Sequence, residues 1–281
     1  MKKLILWGAI ALMLGGCKSS QEAAKPLVVK LALNDIYCKD TACACVHYIA
    51  ARTYGETQKL LKEQYNIDLQ IDYYMEPYEL EDALLSGKYD GVICKPWLAL
   101  KLEKKSDIEY ERIADILDPN NNQWLTGIVI VSTNSPAQNL KDLTGMRIVI
   151  GDADAYEKHY AVKRLFAAEN VTFKQMLETA SCIENIGKLM DEEVDAAVIS
   201  DYSLVADCAV DFAKPADFRV IARTERMPLT SVLIDDDKLT DDEQDRLQAA
   251  LLAITKKGAP ESFLSRGFVK PAKWEPPELE D

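Results

Sequence analysis

The chain has 281 residues, with 33 basic and 46 acidic side chains and a formal net charge of −13. That length accommodates one large α/β unit or two lobes of ordinary domain size. The acidic balance repels nucleic acid and offers no attraction to anionic lipid headgroups, so both partner classes are excluded and any anionic ligand needs a local site.

Lys2 and Lys3 precede an apolar run from Leu4 to Leu14, which closes on Gly15, Gly16 and Cys17. A positive start, a short apolar core and small residues before a cut form the pattern of a secretory signal peptide. The core is shorter than the roughly 20 residues of a permanent span, and nothing after Leu14 is apolar enough for another. A cysteine directly after two glycines resembles the bacterial lipoprotein signal. On that reading residues 1–16 are removed, Cys17 becomes the first residue and carries acyl chains such as palmitate, and the polar residues 17–26 form a tether. The protein is then a monomer in the cell envelope. It faces the periplasm or cell exterior and meets the membrane through its lipid anchor.

Leu27 to Leu33 reads as a buried strand, Thr53 to Tyr65 as a helix, and Ile67 to Tyr74 as a strand with period-two alternation. Pro77 to Ser86 has helical spacing and ends at Gly87, and Tyr89 to Cys94 is the next strand. Leu125 to Ser132 is a continuous apolar strand, Asn139 to Leu143 a helical turn, and Met146 to Ile150 a strand. A helix over Ala155 to Glu169, a strand over Thr172 to Leu177, a helix over Ile183 to Met190 and a strand over Val194 to Ile199 follow. Phe218 to Ala222 and Ser231 to Ile234 are late strands, Asp241 to Thr255 is a long amphipathic helix, and the tail from Pro271 is irregular. Two successive β-α-β-α-β series imply two mostly parallel sheets flanked by helices. The expected division is lobe 1 over 27–125 and 232–281 and lobe 2 over 126–231, hinged on crossing strands near Thr126–Val131 and Met227–Val232.

Ligands of open parallel sheets gather beyond the carboxyl ends of the strands. The loops at those ends carry Tyr37 and Cys38; Cys94, Lys95 and Trp97; Asp152, Asp154, Tyr156 and His159; Ser181; and Asp201 and Tyr202. These are the candidate ligand-binding residues. Aromatic rings stack on an organic ligand or donate hydrogen bonds, and Lys95 pairs with a carboxylate or phosphate. Six cysteines besides Cys17 (Cys38, Cys43, Cys45, Cys94, Cys182 and Cys208) are an even set in an exported chain, which predicts disulfides. The expected bridges pin the first loop, with Cys94 as one partner, and join Cys182 to Cys208. A second reading gathers thiols from both lobes in one cleft. There Cys38, Cys43, Cys45 and His47 handle redox chemistry, a soft metal or a thiophilic oxyanion such as arsenite, although C-x4-C-x-C is not a standard zinc spacing. No catalytic triad, nucleophile elbow or phosphate-cradling glycine motif is visible, so neither an enzyme nor a cofactor is expected.

Three passages carry a family resemblance: YELEDALLSGKYDGVICKPW (78–97), SPAQNLKDLTGMRIVIGD (135–152) and IGKLMDEEVDAAVISD (186–201). In that order they resemble type II periplasmic solute-binding proteins, and most closely the phosphate/phosphite/phosphonate-binding family of ABC importers. The resemblance implies a two-lobed α/β fold with a ligand cleft between the lobes and a small-molecule ligand handed to an ABC permease. It also implies that an acid near Asp201 holds the ligand's amine or hydroxyl groups. The family's hydroxyl-rich anion loop is replaced here by Gly151-Asp152-Ala153-Asp154-Ala155-Tyr156, where two carboxylates repel a phosphonate. The expected function is capture and delivery of a solute. The same closure also serves a sensory binder that presents its closed form to a membrane kinase.

Overall fold

The computed structural model describes residues 25–41, 52–118, 121–204, 212–254 and 267–275. The signal segment, Cys17, Cys43, Cys45, His47 and Cys208 lie outside the described residues.

The first sheet begins with β1 (Leu27–Leu33), which runs parallel to β2 (Ile67–Tyr73) and β3 (Gly91–Cys94). The crossovers are made by α1 (Gly55–Tyr65) and α2 (Pro77–Leu85). Asn66 ends α1 in the left-handed conformation, which Asn tolerates better than most residues. Pro77 opens α2 in its first turn, where a missing N–H costs no hydrogen bond. After β3 come α3 (Pro96–Glu103) and β4 (Tyr110–Ile116).

The chain then crosses through the short β5 (Trp124–Leu125) into the second sheet, starting with β6 (Gly127–Ser132). Here β7 (Arg147–Gly151) runs parallel to β8 (Gln175–Thr179) and β9 (Ala196–Ser200), with crossovers through α4 (Tyr160–Ala168) and α5 (Cys182–Met190). Ser181 caps α5, its Oγ accepting from the Glu184 N–H at 3.1 Å. Strand β10 (Phe218–Arg223) pairs antiparallel with β6 at the sheet edge. The chain returns through β11 (Met227–Pro228), which pairs with β5, into β12 (Ser231–Asp235) of the first sheet. Helix α6 (Asp241–Ala253) and β13 (Phe268–Val269) complete that lobe.

The strand orders are β13-β4-β12-β3-β1-β2 and β10-β6-β9-β7-β8. These are two lobes, each a mixed sheet between helices. The parallel pairings expected from the sequence hold for β2-β1-β3 and β8-β7-β9, whereas β12, β4 and β13 in the first sheet and β6 and β10 in the second are added antiparallel. Alternate residues of the central strands serve opposite faces, as the pleat requires. Ile128 and Ile130 pack on α5, whereas Val129 and Val131 pack on α4. Both faces are covered, so these strands read as continuous apolar runs.

The crossing ribbon meets expectation at Met227 and Pro228 and differs from it on the other strand. It is β5 with β11, whereas residues 127–131, expected at the hinge, form the second-position strand of the lobe 2 sheet. The expected helix over Ala155 to Glu169 is also broken. A 3₁₀ turn (Tyr156–Lys158) precedes α4, with His159 between them outside helical geometry. Among the described residues no helix is long and apolar enough to cross a membrane.

Candidate functional site

Between the lobes lies a separate apolar cluster that includes Tyr37, Trp97, Leu125, Tyr156, Tyr202 and Met227. Trp97, in the first turn of α3, is almost fully buried. Its indole N–H donates to the Ala153 carbonyl of the other lobe at 3.4 Å, and its ring lies 4.7 Å from that of Tyr156 and 5.1 Å from that of Tyr160. Tyr37, after β1, meets Tyr202, after β9, edge to face at 6.3 Å.

Beside the ribbon is a cavity of about 280 Å³. Tyr37, Asp118, Asn122 and Trp124 line it from the lobe 1 side, and Asp201, Tyr202 and Arg223 from the lobe 2 side. Burial pushes the Tyr37 hydroxyl well above its ordinary range, reinforced by the Asp118 charge, so it stays protonated and can donate. Burial also raises the Asp201 carboxyl, against the Thr126 hydroxyl that donates to it and the Arg223 charge. Asp118 accepts the Asn122 N–H at 2.7 Å, which fixes the loop ahead of the ribbon. Two carboxylates, three aromatic rings and the Arg223 guanidinium thus surround one small space, and Arg226 stacks on the Trp124 ring at 4.1 Å.

The Tyr37 loop is held by a buried network. Asp35 accepts from Arg52 Nη1 at 2.5 Å, from the Tyr54 hydroxyl at 2.8 Å and from the Tyr37 N–H at 3.2 Å. Arg52 also donates to the Leu117 carbonyl at 3.2 Å, tying the loop to the end of β4. Burial opposes the guanidinium charge, but Asp35 more than offsets it, so Arg52 stays ionised.

A second polar constellation spans the lobes. Lys95, which caps α3, places Nζ 3.1 Å from Glu157 Oε1, and the Ser200 hydroxyl donates to the same oxygen at 2.6 Å. Glu157 is wholly buried. Burial alone raises its pKa, but Lys95, Lys158 and the Ser200 hydroxyl outweigh that and hold the carboxyl below its ordinary range. The 3₁₀ turn carrying it presses on two glycines: a Cβ on Gly127 would stand 1.9 Å from the Glu157 carbonyl oxygen, and one on Gly151 2.5 Å from Lys158 Cβ.

The structure thus brings Tyr37, Asp201 and Tyr202 together at the cavity, and Lys95, Trp97 and Tyr156 together at the lobe boundary. It places the other candidates elsewhere. Asp154 is exposed and pairs with Lys101 of lobe 1, outside the cavity. Asp152 accepts from the Asp154 N–H at 3.2 Å, and Ser181 is occupied as a helix cap. His159 does not face the cleft: it is buried in its own lobe, with Nδ1 2.8 Å from the Gly151 carbonyl and Nε2 2.8 Å from Lys163 Nζ.

The cysteine expectations are corrected for the described residues. Cys38, Cys94 and Cys182 are free buried thiols, which removes the Cys94 bridge and the Cys182–Cys208 pair. They belong to three different cores and share no cleft. Burial pushes the Cys38 thiol up to about 11 and the Cys94 thiol up to about 12, so neither is a thiolate at neutral pH. Among the described residues no group of three or more His, Cys, Asp or Glu is placed to hold a metal ion.

Sequence reasoning missed Glu157, Ser200, Asp118, Trp124 and Arg223. Ser200 was within reach, because it directly follows the predicted strand Val194 to Ile199. Trp124, Asp118 and Arg223 come to the cavity only through the ribbon and the edge strand.

The model of a family described as "ABC transporter, phosphonate, periplasmic substrate-binding protein" matches residues 49–276. Among curated protein sequences none matches this chain. Of solved structures, XAC2383 from Xanthomonas citri bound to ATP is similar at 14% identity and a TM-score of 0.64, over 88% of this chain and 91% of that one. PhnD1 from Prochlorococcus marinus in complex with methylphosphonate is similar at 12% identity and 0.61, over 88% and 93%. The aliphatic sulphonate binding protein SsuA from Escherichia coli follows at 13% and 0.57, over 81% and 71%. At such identities the structures speak for the fold alone. The family match spans most of the chain, and this protein therefore belongs to the phosphonate-type periplasmic substrate-binding proteins of ABC transporters.

Proposed function

We propose that this protein is a lipid-anchored, extracytoplasmic solute-binding protein that captures a small amine-bearing ligand between its lobes and hands it to an ABC permease. The observation that carries the reading is the cavity of about 280 Å³ lined from both lobes, with Asp118 and Asp201 among Tyr37, Trp124 and Tyr202. A ligand ammonium gains charge-assisted hydrogen bonds from the acids and a favourable quadrupole from the rings. Arg223 at the rim offers a partner for a carboxylate, so a zwitterion fits as well as a simple amine.

On this reading lobe 1 comprises residues 27–125 and 232–281, lobe 2 comprises 126–231, and Cys17 carries the acyl anchor of a monomer. Ligand contacts to both lobes shift the population toward the closed form. No bond is made or broken. The test is a thermal-shift screen of the mature protein over amines, amino acids, phosphonates and metals. A matching ligand stabilises by about 2.7 kcal/mol at a hundredfold excess over its Kd. A screen in which no amino compound stabilises the protein defeats the ligand assignment.

A further inference from the structure

Glu157 occupies a place where a ligand would be expected. It sits beyond the carboxyl end of β7, touches Ser200 at the carboxyl end of β9, and meets Lys95 just after β3 of the opposite lobe. Those strand ends are where open parallel sheets collect ligands. Its surroundings are those of a bound oxyanion: an ammonium group from one lobe, a hydroxyl from the other, and the Lys158 charge nearby. Its second oxygen, Oε2, is buried without a hydrogen-bond partner. Gly127 and Gly151 leave the space in which this turn lies, and a side chain on either would displace it.

We propose that Glu157 is a tethered, internal occupant of the interlobe anion seat and is the residue that excludes free phosphate, phosphonate and sulfonate from this protein. The carboxylate uses up the hydroxyl and the ammonium that a free oxyanion would need. It also sets a like charge against any anion that approaches. The inference does not depend on which ligand fills the ribbon cavity. Glu157 is wholly buried and meets Lys95 of the opposite lobe at 3.1 Å, so a free anion cannot add itself beside the carboxylate without parting the lobes.

The test compares wild-type protein with Glu157→Ala and Glu157→Gln, using inorganic phosphate, methylphosphonate and sulfate at millimolar concentration. Binding is read by calorimetry and by the shift in thermal midpoint. Glu157→Ala vacates the seat, and it is expected to bind at least one of the three anions about 10- to 100-fold more tightly than wild type. That is the worth of one or two hydrogen bonds to charged groups. The gain should vanish when Lys95→Ala is added. Glu157→Gln keeps the side-chain volume and should gain far less. Should Glu157→Ala lose its cooperative transition, phosphate is expected to restore it. The proposal is overturned if wild type binds methylphosphonate as tightly as Glu157→Ala does. It is equally overturned if Glu157→Ala, folded or not, responds to none of the three anions. A failed amine screen leaves these outcomes unchanged, so the two readings fail separately.

Discussion

Lys95 and Glu157 meet across the lobe boundary with Nζ 3.1 Å from Oε1, and the carboxylate is wholly buried. Breaking a buried pair from one side strands a charge and typically costs about 3–5 kcal/mol, whereas replacing both members costs far less. Lys95→Met is therefore expected to lower the urea-unfolding free energy by about that amount, with Lys95→Met/Glu157→Gln recovering most of it. A double-mutant cycle checks the coupling.

The same pair sets an acid limb. The Glu157 carboxyl lies below its ordinary range in the folded protein, so its stabilisation is complete above the unfolded-state pKa and is lost as pH falls through the folded one. Thermal midpoints measured from neutral to acid pH should fall more steeply in wild type than in Glu157→Gln, which has no proton to take up.

Asp201 works with the opposite sign. Burial raises its carboxyl, so the folded protein keeps that proton longer than the unfolded chain does. The stabilisation this brings is full below the unfolded pKa and lost as pH rises through the folded one. A cationic ligand prefers the ionised form. Amine affinity is thus expected to rise with pH across the Asp201 titration and to level off above it, and Asp201→Asn should remove both the binding and its pH dependence. Calorimetry across that range checks both.

The Asp35–Arg52 pair carries the Tyr37 loop, and both side chains are almost fully buried. Arg52→Ala leaves the Asp35 charge uncompensated and is expected to cost about 3–5 kcal/mol, measured by chemical unfolding. The paired change Asp35→Asn/Arg52→Met should cost less.

Cys38, Cys94 and Cys182 are free and buried, with the first two held as neutral thiols. All three should resist alkylation in the native protein and react once it is denatured, as followed by mass spectrometry.

Most of the fold was legible because its central strands are short runs rich in Val, Ile and Leu and its first crossover helices end on clear stop signals, Asn66 and Gly87. Helix α3 was not: Pro96 reads as a turn, yet it stands in the first turn, and Leu98, Ala99, Leu100 and Leu102 leave no clean polar stripe. Strand β4 mixes Glu111 and Arg112 with a fully buried second half, which blurs any period. At the site, Tyr37, Asp201 and Tyr202 followed from the strand-end rule alone. Glu157 did not, because in sequence it is an ordinary helix-start acid. Its role depends on Lys95, 62 residues away in the other lobe. His159 misled for the reverse reason: hydrogen bonds from Nδ1 to the Gly151 carbonyl and between Nε2 and Lys163 hold it in its own lobe.

The most direct measurement is a parallel thermal-shift titration of the wild-type mature protein and Asp201→Asn with a panel of small amines and zwitterions beside methylphosphonate. The account predicts that an amino compound stabilises wild type, that Asp201→Asn abolishes the effect, and that methylphosphonate stabilises neither. Stabilisation of the wild type by methylphosphonate, with no response to any amine, would contradict it.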